Sequence, residues 1–330
     1  MPENADDVPA FQEQFHQRWQ QLTDPHVRAL AWLIDAPNLL DENAPQWQGR
    51  IARLDSGAGE AARDWLHGLE RAPAALHAHL AFQPFGRLGR YAEKLMTFYL
   101  QHLGVLAAHN VQVRASGKET VGEFDFLVWR GAALLHWEFA TKFYLLEPGG
   151  AGTSHQADYF VGPNLADSLG AKMDKIFSRQ LQLSAHPAAQ PLLPQPVAAA
   201  EALVKGWLFY PEGNYPLLPA LGVCAAHCRG FWCGLADLPA APRYAVLPRL
   251  SWLAPALLPA AGTLDRGELE TRIGRHFDTD SMPVMVALLH ITGSQALEVD
   301  RGFIVPDGWR ERAGERVRTT QGLAPALLPD

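Results

Sequence analysis

The stretch Val121–Leu146, V-G-E-F-D-F-L-V-W-R-G-A-A-L-L-H-W-E-F-A-T-K-F-Y-L-L, constrains this chain more than any other. It predicts a β-hairpin with Arg130 and Gly131 near the turn. Its second arm alternates. Leu135, Trp137, Phe139, Thr141, Phe143 and Leu145 share one face, and His136, Glu138, Ala140, Lys142 and Tyr144 share the other. Glu138 and Lys142 therefore lie on one face of an otherwise apolar strand, and Asp125 lies between Phe124 and Phe126 in the first arm. A buried charge costs several kcal/mol unless it is paired or holds a metal. A chain that keeps Asp, Glu and Lys on adjoining strands is expected to use them.

The chain has 330 residues, enough for one large domain or two ordinary ones, and 48% of them are hydrophobic, which fits a folded protein with a sizeable core. No apolar run is long enough to span a bilayer. The first residues, M-P-E-N-A-D-D, are acidic and have no secretory pattern, so the sequence predicts a cytoplasmic protein with no membrane partner. A net charge of −7 argues against broad coating of nucleic acid but leaves room for a local basic groove. All six lysines, Lys94, Lys118, Lys142, Lys172, Lys175 and Lys205, fall between positions 94 and 205. Arg and Lys are not interchangeable where a compact ammonium is needed, and Lys142 is the lysine best placed for such a need. Cys224, Cys228 and Cys233 cluster with His227, but C-x3-C-x4-C is not a usual zinc spacing, and a zinc-linked interaction protein is the weakest reading.

Three regions follow from composition and periodicity: a helical N-terminal extension (1–85), a central core (86–212) and a C-terminal region of mixed short strands and helices (213–330). In the first, Phe11, Phe15, Trp19 and Leu22, then Val27, Leu30, Ala31 and Ile34, recur at helical spacing. Gly86-Arg87-Leu88-Gly89 opens the core. A helix over Arg90–Leu103 comes next, then a strand over Val105–Arg114, the loop Ala115–Glu119 and the hairpin. After it, Glu147–His155 is Gly-rich and predicts a mobile loop. A helix over Leu165–Leu183, a Pro/Ala linker over 186–200 and a strand over Ala202–Tyr210 complete the core. The order is helix, three strands, helix, strand, an α/β arrangement. Short strands are expected near Tyr244–Leu247, Val284–Leu289 and Phe303–Val305.

A helix carrying Glu93 in G-R-Y-A-E-K-L, a strand carrying Asp125 in G-E-F-D-F-L, and a strand carrying Glu138 and Lys142 in H-W-E-F-A-T-K-F-Y-L resemble the core of the PD-(D/E)XK nuclease superfamily. More closely, these stretches, with V-G-P-N-L-A-D-S-L-G-A-K and G-W-L-F-Y, resemble a bacterial family, domain-of-unknown-function family 1853 (DUF1853), itself a remote relative of that superfamily. The resemblance spans about Gly86–Tyr210. It implies a restriction-endonuclease-like core and Mg²⁺-dependent hydrolysis of phosphodiester bonds in DNA or RNA, with Mn²⁺ as the alternative ion. Asp125 and Glu138 would be the metal ligands, Lys142 the lysine beside the attacking water, and Glu93 an orienting carboxylate. Gln180, Lys172 and Asn164 would contact substrate. Two carboxylates with a phosphate oxygen suit Mg²⁺, which takes oxygen ligands and keeps several waters.

One departure stands out. The superfamily places its lysine two residues after the carboxylate, where this chain has Ala140. Lys142 shares the face but starts roughly 7 Å farther along, two residues of strand rise. That shift leaves a second expectation open: a catalytically inactive nuclease-fold protein that binds nucleic acid or a protein partner. Taken singly, the residues also have plainer readings. Glu138 and Lys142 could be a structural ion pair, Asp125 an edge-strand charge, and His136 a satisfied core histidine.

Overall fold

The computed structural model describes residues 11–54, 59–81, 87–115, 119–147, 156–211 and 221–322. Helices α1 (Phe11–Trp19), α2 (Pro25–Asp35), α3 (Glu60–Arg71), α4 (Ala74–Leu80) and α5 (Leu88–His102) precede the first strand. Asp24 caps α2 by accepting the His26 and Val27 amides at 2.9 and 3.1 Å, with Pro25 as the first helical residue. The central strands are β1 (Leu106–Arg114), β2 (Thr120–Arg130), β3 (Ala133–Leu146), the two-residue β4 (Phe160–Val161) and β5 (Val197–Pro211). The expected hairpin is β2–β3, and its turn passes through Gly131 at φ +60°, a left-handed backbone that glycine adopts without strain.

β3 pairs with β5 in parallel over twelve residue pairs, from Leu134–Val197 to Leu145–Phe209. A parallel pair needs a crossover. Here it includes β4, α6 (Leu169–Asp174), a π-helical turn at Lys175–Arg179 and 3₁₀ turns at Gln180–Ala185 and Gln190–Leu192. The single helix expected over Leu165–Leu183 is thus a broken one. It starts four residues later, where Ser168 caps it by accepting the Ala171 amide, and its hydrogen-bond pattern shifts at Lys175. The expected linker is also shorter. Val197–Ala200 already belong to β5, because the extended chain pairs with β3 as soon as it passes Pro196.

Both faces of β3 and β5 are covered. Trp137, Phe139, Phe143, Leu203, Trp207 and Phe209 join a large core with residues of α1, α2 and α5. Ala140, Tyr144, Ala202, Val204, Leu208 and Tyr210 join a second core with Leu169, Met173, Ile176 and Leu181 of the crossover. Beyond β5 the same sheet continues through β6 (Cys228–Gly234), and on to β10 (Gln295–Val305), β9 (Val284–Thr292) and β7 (Arg243–Val246). β8 (Leu257–Pro259) pairs with β10. Two helices complete this half, α7 (Arg266–Phe277), opened by a capping box between Asp265 and Glu268, and α8 (Trp309–Gly322). The architecture is α/β with a mixed sheet that runs across residue 212. The strands expected near 244, 284 and 303 are β7, β9 and β10, the last two longer than expected. No helix among the described residues is long and apolar enough to cross a membrane. Gly86, the centre of the 115–119 loop and the Gly-rich run 148–155 lie outside the described residues.

Candidate functional site

β2 and β3 part company at one rung. Their ladder runs from Arg130–Ala133 to Phe126–Trp137 and stops, while β2 stays paired with β1 as far as Thr120 and β3 stays paired with β5 as far as Leu145. Asp125 is the next residue of β2 after that last rung. Its Oδ2 accepts the Phe139 amide at 2.9 Å, so a side-chain carboxyl fills the position a backbone carbonyl would otherwise take. The Gln180–Ala185 turn packs at the fork. Leu183 lies so close over Gly122 that a Cβ there would stand 3.0 Å from it.

Two carboxyls, Asp125 and Glu138, meet at this fork, and the Glu93 carboxyl of α5 lies within Coulombic reach of Asp125. Glu138, on β3, is 1% exposed. The Asp125 and Glu138 carboxyls lie within hydrogen-bonding reach of each other. Glu93, on α5, is close enough to Asp125 for the Asp125 charge to oppose its ionisation. Burial is the largest influence on all three and pushes each up to about 7; charge repulsion among them adds to this at Glu93 and Asp125. The Phe139 amide and the Lys172 ammonium act the other way on Asp125, and Lys172 and Lys175 do so on Glu138.

Both Glu138 oxygens carry donors. His136 Nε2 lies 2.8 Å from Oε1, and Gln180 Nε2 donates to Oε2. Gln180 Oε1 in turn accepts from Lys172 Nζ at 3.3 Å. Burial drives His136 down to about 4, so its ring is neutral. Asp125, Glu138, Gln180 and Lys172 are therefore brought together, with Glu93 within Coulombic reach of Asp125.

Lys142 and Asn164 are placed differently. Lys142 Nζ lies 3.6 Å from Asp167 Oδ2, which also accepts the Tyr144 hydroxyl at 2.9 Å. Burial lowers Lys142 and Asp167 raises it; the charges of the Asp125–Glu138 pair are felt at Lys172 instead. Asn164 is exposed, and its Oδ1 accepts the Ala166 amide at 3.2 Å inside the turn before α6. Ala140, two residues after Glu138, is buried in the second core. Asp167 and Tyr144 escaped the sequence reading as partners of Lys142, although Asp167 stands in the quoted V-G-P-N-L-A-D run. No local pattern brings a residue 25 positions downstream back to the strand.

The donor set is chemically that of a hard cation: carboxylate oxygens with an amide and a lysine nearby. No group of three or more His, Cys, Asp and Glu among the described residues could enclose a metal. The pair Asp125 and Glu138 instead matches the way Mg²⁺ is usually held, by one or two carboxylates with waters and substrate phosphates completing the shell. The cysteine cluster gathers no such set. Cys228 and Cys233 belong to different cores, and His227 is hydrogen-bonded to the Tyr210 hydroxyl at 2.7 Å and the Cys224 carbonyl at 2.6 Å.

Residues 28–305 match the family described as domain of unknown function (DUF1853). The chain belongs to that family. The match takes in α5, the hairpin, the crossover and the C-terminal strands, so the carboxyl cluster of this DUF1853 chain lies well inside it. No curated protein and no solved structure matches the chain.

Proposed function

We propose that this DUF1853 protein is a divalent-cation-dependent phosphodiesterase acting on DNA or RNA, built on a restriction-endonuclease-like core. The reading is carried by one observation: Asp125 and Glu138 meet where β2 and β3 separate, with Glu93 of α5 within Coulombic reach of Asp125 and Lys172 within reach of the pair. The element order α5, β1, β2, β3, α6, β5 supports the core assignment.

Asp125 and Glu138 would hold Mg²⁺ or Mn²⁺, which when bound supplies Lewis acidity toward a phosphate oxygen. The chain's own residues do the rest. Gln180 holds Lys172 Nζ near the carboxylates, where the ammonium offsets negative charge that grows on a phosphate during attack. Glu93 is half-buried and ionises near neutral pH, so it can take a proton from an attacking water at physiological pH. Lys175 and Arg179 follow Lys172 on the π-turn and are exposed, which suits contacts to flanking phosphates.

The second reading, a non-catalytic nucleic-acid-binding relative, is favoured by the pairing of Lys142 with Asp167 and by Ala140 at the usual lysine position. Incubating the purified chain with labelled single- and double-stranded DNA and RNA in Mg²⁺ or Mn²⁺ separates the two. Cleavage by wild type that Asp125→Asn abolishes supports the enzyme. Binding without cleavage supports the second reading, and neither binding nor cleavage dismisses both.

A further inference from the structure

His136 is fully buried, yet among the described residues its Nδ1 meets no hydrogen-bond partner. An unpartnered polar atom in a core is a cost of about 1–3 kcal/mol that a leucine or methionine at this position would not carry. The arrangement nevertheless dictates a single tautomer. If Nδ1 held the proton, a buried N–H would have no acceptor, and the Nε2 lone pair would face the lone pairs of Glu138 Oε1 at 2.8 Å. With the proton on Nε2, the ring donates to Glu138. Phe124 stands edge-on against the ring, 88° between planes with centroids 4.7 Å apart, and restrains it.

The other Glu138 oxygen is fixed with the same lack of ambiguity. Gln180 lies between Lys172 Nζ and Glu138 Oε2. Its amide has only one orientation that satisfies both neighbours, carbonyl toward the ammonium and NH₂ toward the carboxylate. One donor on each oxygen locks the rotation of the Glu138 carboxylate and leaves its remaining lone pairs for Asp125 and whatever joins that pair.

We propose that His136 is a positioning residue: its Nε2–H, with Gln180 on the opposite oxygen, fixes the Glu138 carboxylate in the orientation that lets it hold a divalent cation together with Asp125. This rests on the reading of Asp125 and Glu138 as the cation-holding pair. Groups that hold a metal ligand in place through hydrogen bonds commonly contribute about 10- to 100-fold in metal affinity. His136 touches neither substrate nor cation, so its effect is felt through Glu138 alone.

The test is Mn²⁺ titration of the full chain, followed by the loss of the free-ion EPR signal, with circular dichroism to check folding. Wild type should bind, and Asp125→Asn should lose that binding. His136→Met, which fills the space without a donor, should weaken Mn²⁺ about 10-fold or more, and His136→Gln, whose amide reaches Oε1, should stay within about threefold of wild type. If His136→Met does not fold, His136→Asn replaces it, because that shorter amide cannot reach Glu138. Wild-type affinity in the Met or Asn variant overturns the proposal, as does equal weakening by Gln and Asn. Absence of any Mn²⁺ binding sensitive to Asp125→Asn overturns the carboxylate pair itself, a result distinct from the other two.

Discussion

Asp125 Oδ2 accepts the Phe139 amide at 2.9 Å, and Phe139 follows Glu138 directly on β3. One carboxyl thus ends the β2–β3 ladder and stands beside the other carboxyl of the site. The fork has a structural cause. A backbone rung is replaced by a side chain with a second oxygen free to face its neighbours, so the strands separate without stranding a buried N–H. The Asp125 carboxyl is part of the sheet's hydrogen bonding and not an addition to its surface.

That dual role separates two substitutions at Asp125. Asp125→Asn keeps a carbonyl oxygen for the Phe139 amide and removes the charge, so the melting temperature should stay within a few degrees of wild type while Mg²⁺-dependent cleavage falls by at least 10³-fold. Asp125→Ala removes the acceptor too and leaves the amide unpaired, which should cost about 1–3 kcal/mol in urea unfolding. Equal stability in the two variants would refute the structural role. Undiminished cleavage in Asp125→Asn, with contaminating nucleases removed, would refute the catalytic one.

The raised carboxyls also set a pH signature. Glu93, Asp125 and Glu138 are each pushed up to about 7, so their protonated forms favour the fold below the ordinary carboxylate range, and that contribution is lost as pH rises through about 7. His16, His136 and His227, driven by burial down to about 4, act oppositely; they favour the fold above the ordinary histidine range and cease to do so as pH falls through about 4. The two sets overlap between about pH 4 and 7, so total stability against pH is a poor probe. The rise in melting temperature on adding Mg²⁺ is a better one, since the ion competes with protons for the same oxygens. It should be near zero at pH 5 and several degrees at pH 8, and absent in Asp125→Asn at both. An equal rise at both pH values in wild type would contradict competition between protons and the ion for these carboxyls.

Much of this was legible in the chain. The alternation from Leu135 to Leu145 placed Glu138 and Lys142 on one face, and that face is where the structure has them. What it could not convey was reach. Lys142 and Lys172 are both lysines near the carboxylates in sequence order, but a strand lysine two residues too far along meets Asp167 from the crossover, while the break between α6 and the π-turn brings Lys172 to Gln180. Helical periodicity predicts one straight helix over Leu165–Leu183; tertiary packing of Leu181 and Leu183 into two different cores bends it. His136 followed the strand pattern of a buried residue so well that its polar contact was invisible. Likewise α7 announces itself only through D-R-G-E, a four-residue capping box in an otherwise polar run.

A stability prediction lies far from the site, in the half of the sheet where the sequence showed no chemistry. Arg301 and Glu298 are fully buried on β10, with Arg301 Nη2 donating to Glu298 Oε2 at 2.8 Å and the guanidinium 4.2 Å above the Trp207 ring. Arg301→Met leaves the Glu298 carboxylate without its cation and should cost about 3–5 kcal/mol in urea unfolding. Adding Glu298→Gln removes that stranded charge and keeps an acceptor for the Ala256 amide, now 2.8 Å from Oε2. The double variant should therefore be more stable than Arg301→Met alone. A double variant weaker than the single would mean that the pair matters through something other than charge compensation.

The two lysines give the sharpest functional contrast. Lys172 is near Asp125, Glu138 and Gln180, whereas Lys142 is bound to Asp167 and separated from the carboxylates by the buried Ala140. If an ammonium is required beside the reacting phosphate, Lys172→Ala should reduce cleavage by about 10²–10⁴-fold. Lys142→Ala should reduce it less than tenfold, because Lys142 is paired with Asp167 and reaches Lys172 only through charge repulsion. Lys172→Arg should recover little, because a planar guanidinium cannot replace a compact ammonium donating to Gln180 Oε1. Nuclease rates of the three variants under single-turnover conditions decide the matter. A large loss in Lys142→Ala with little in Lys172→Ala would return the role to the strand lysine and require Lys142 to leave Asp167 when substrate binds.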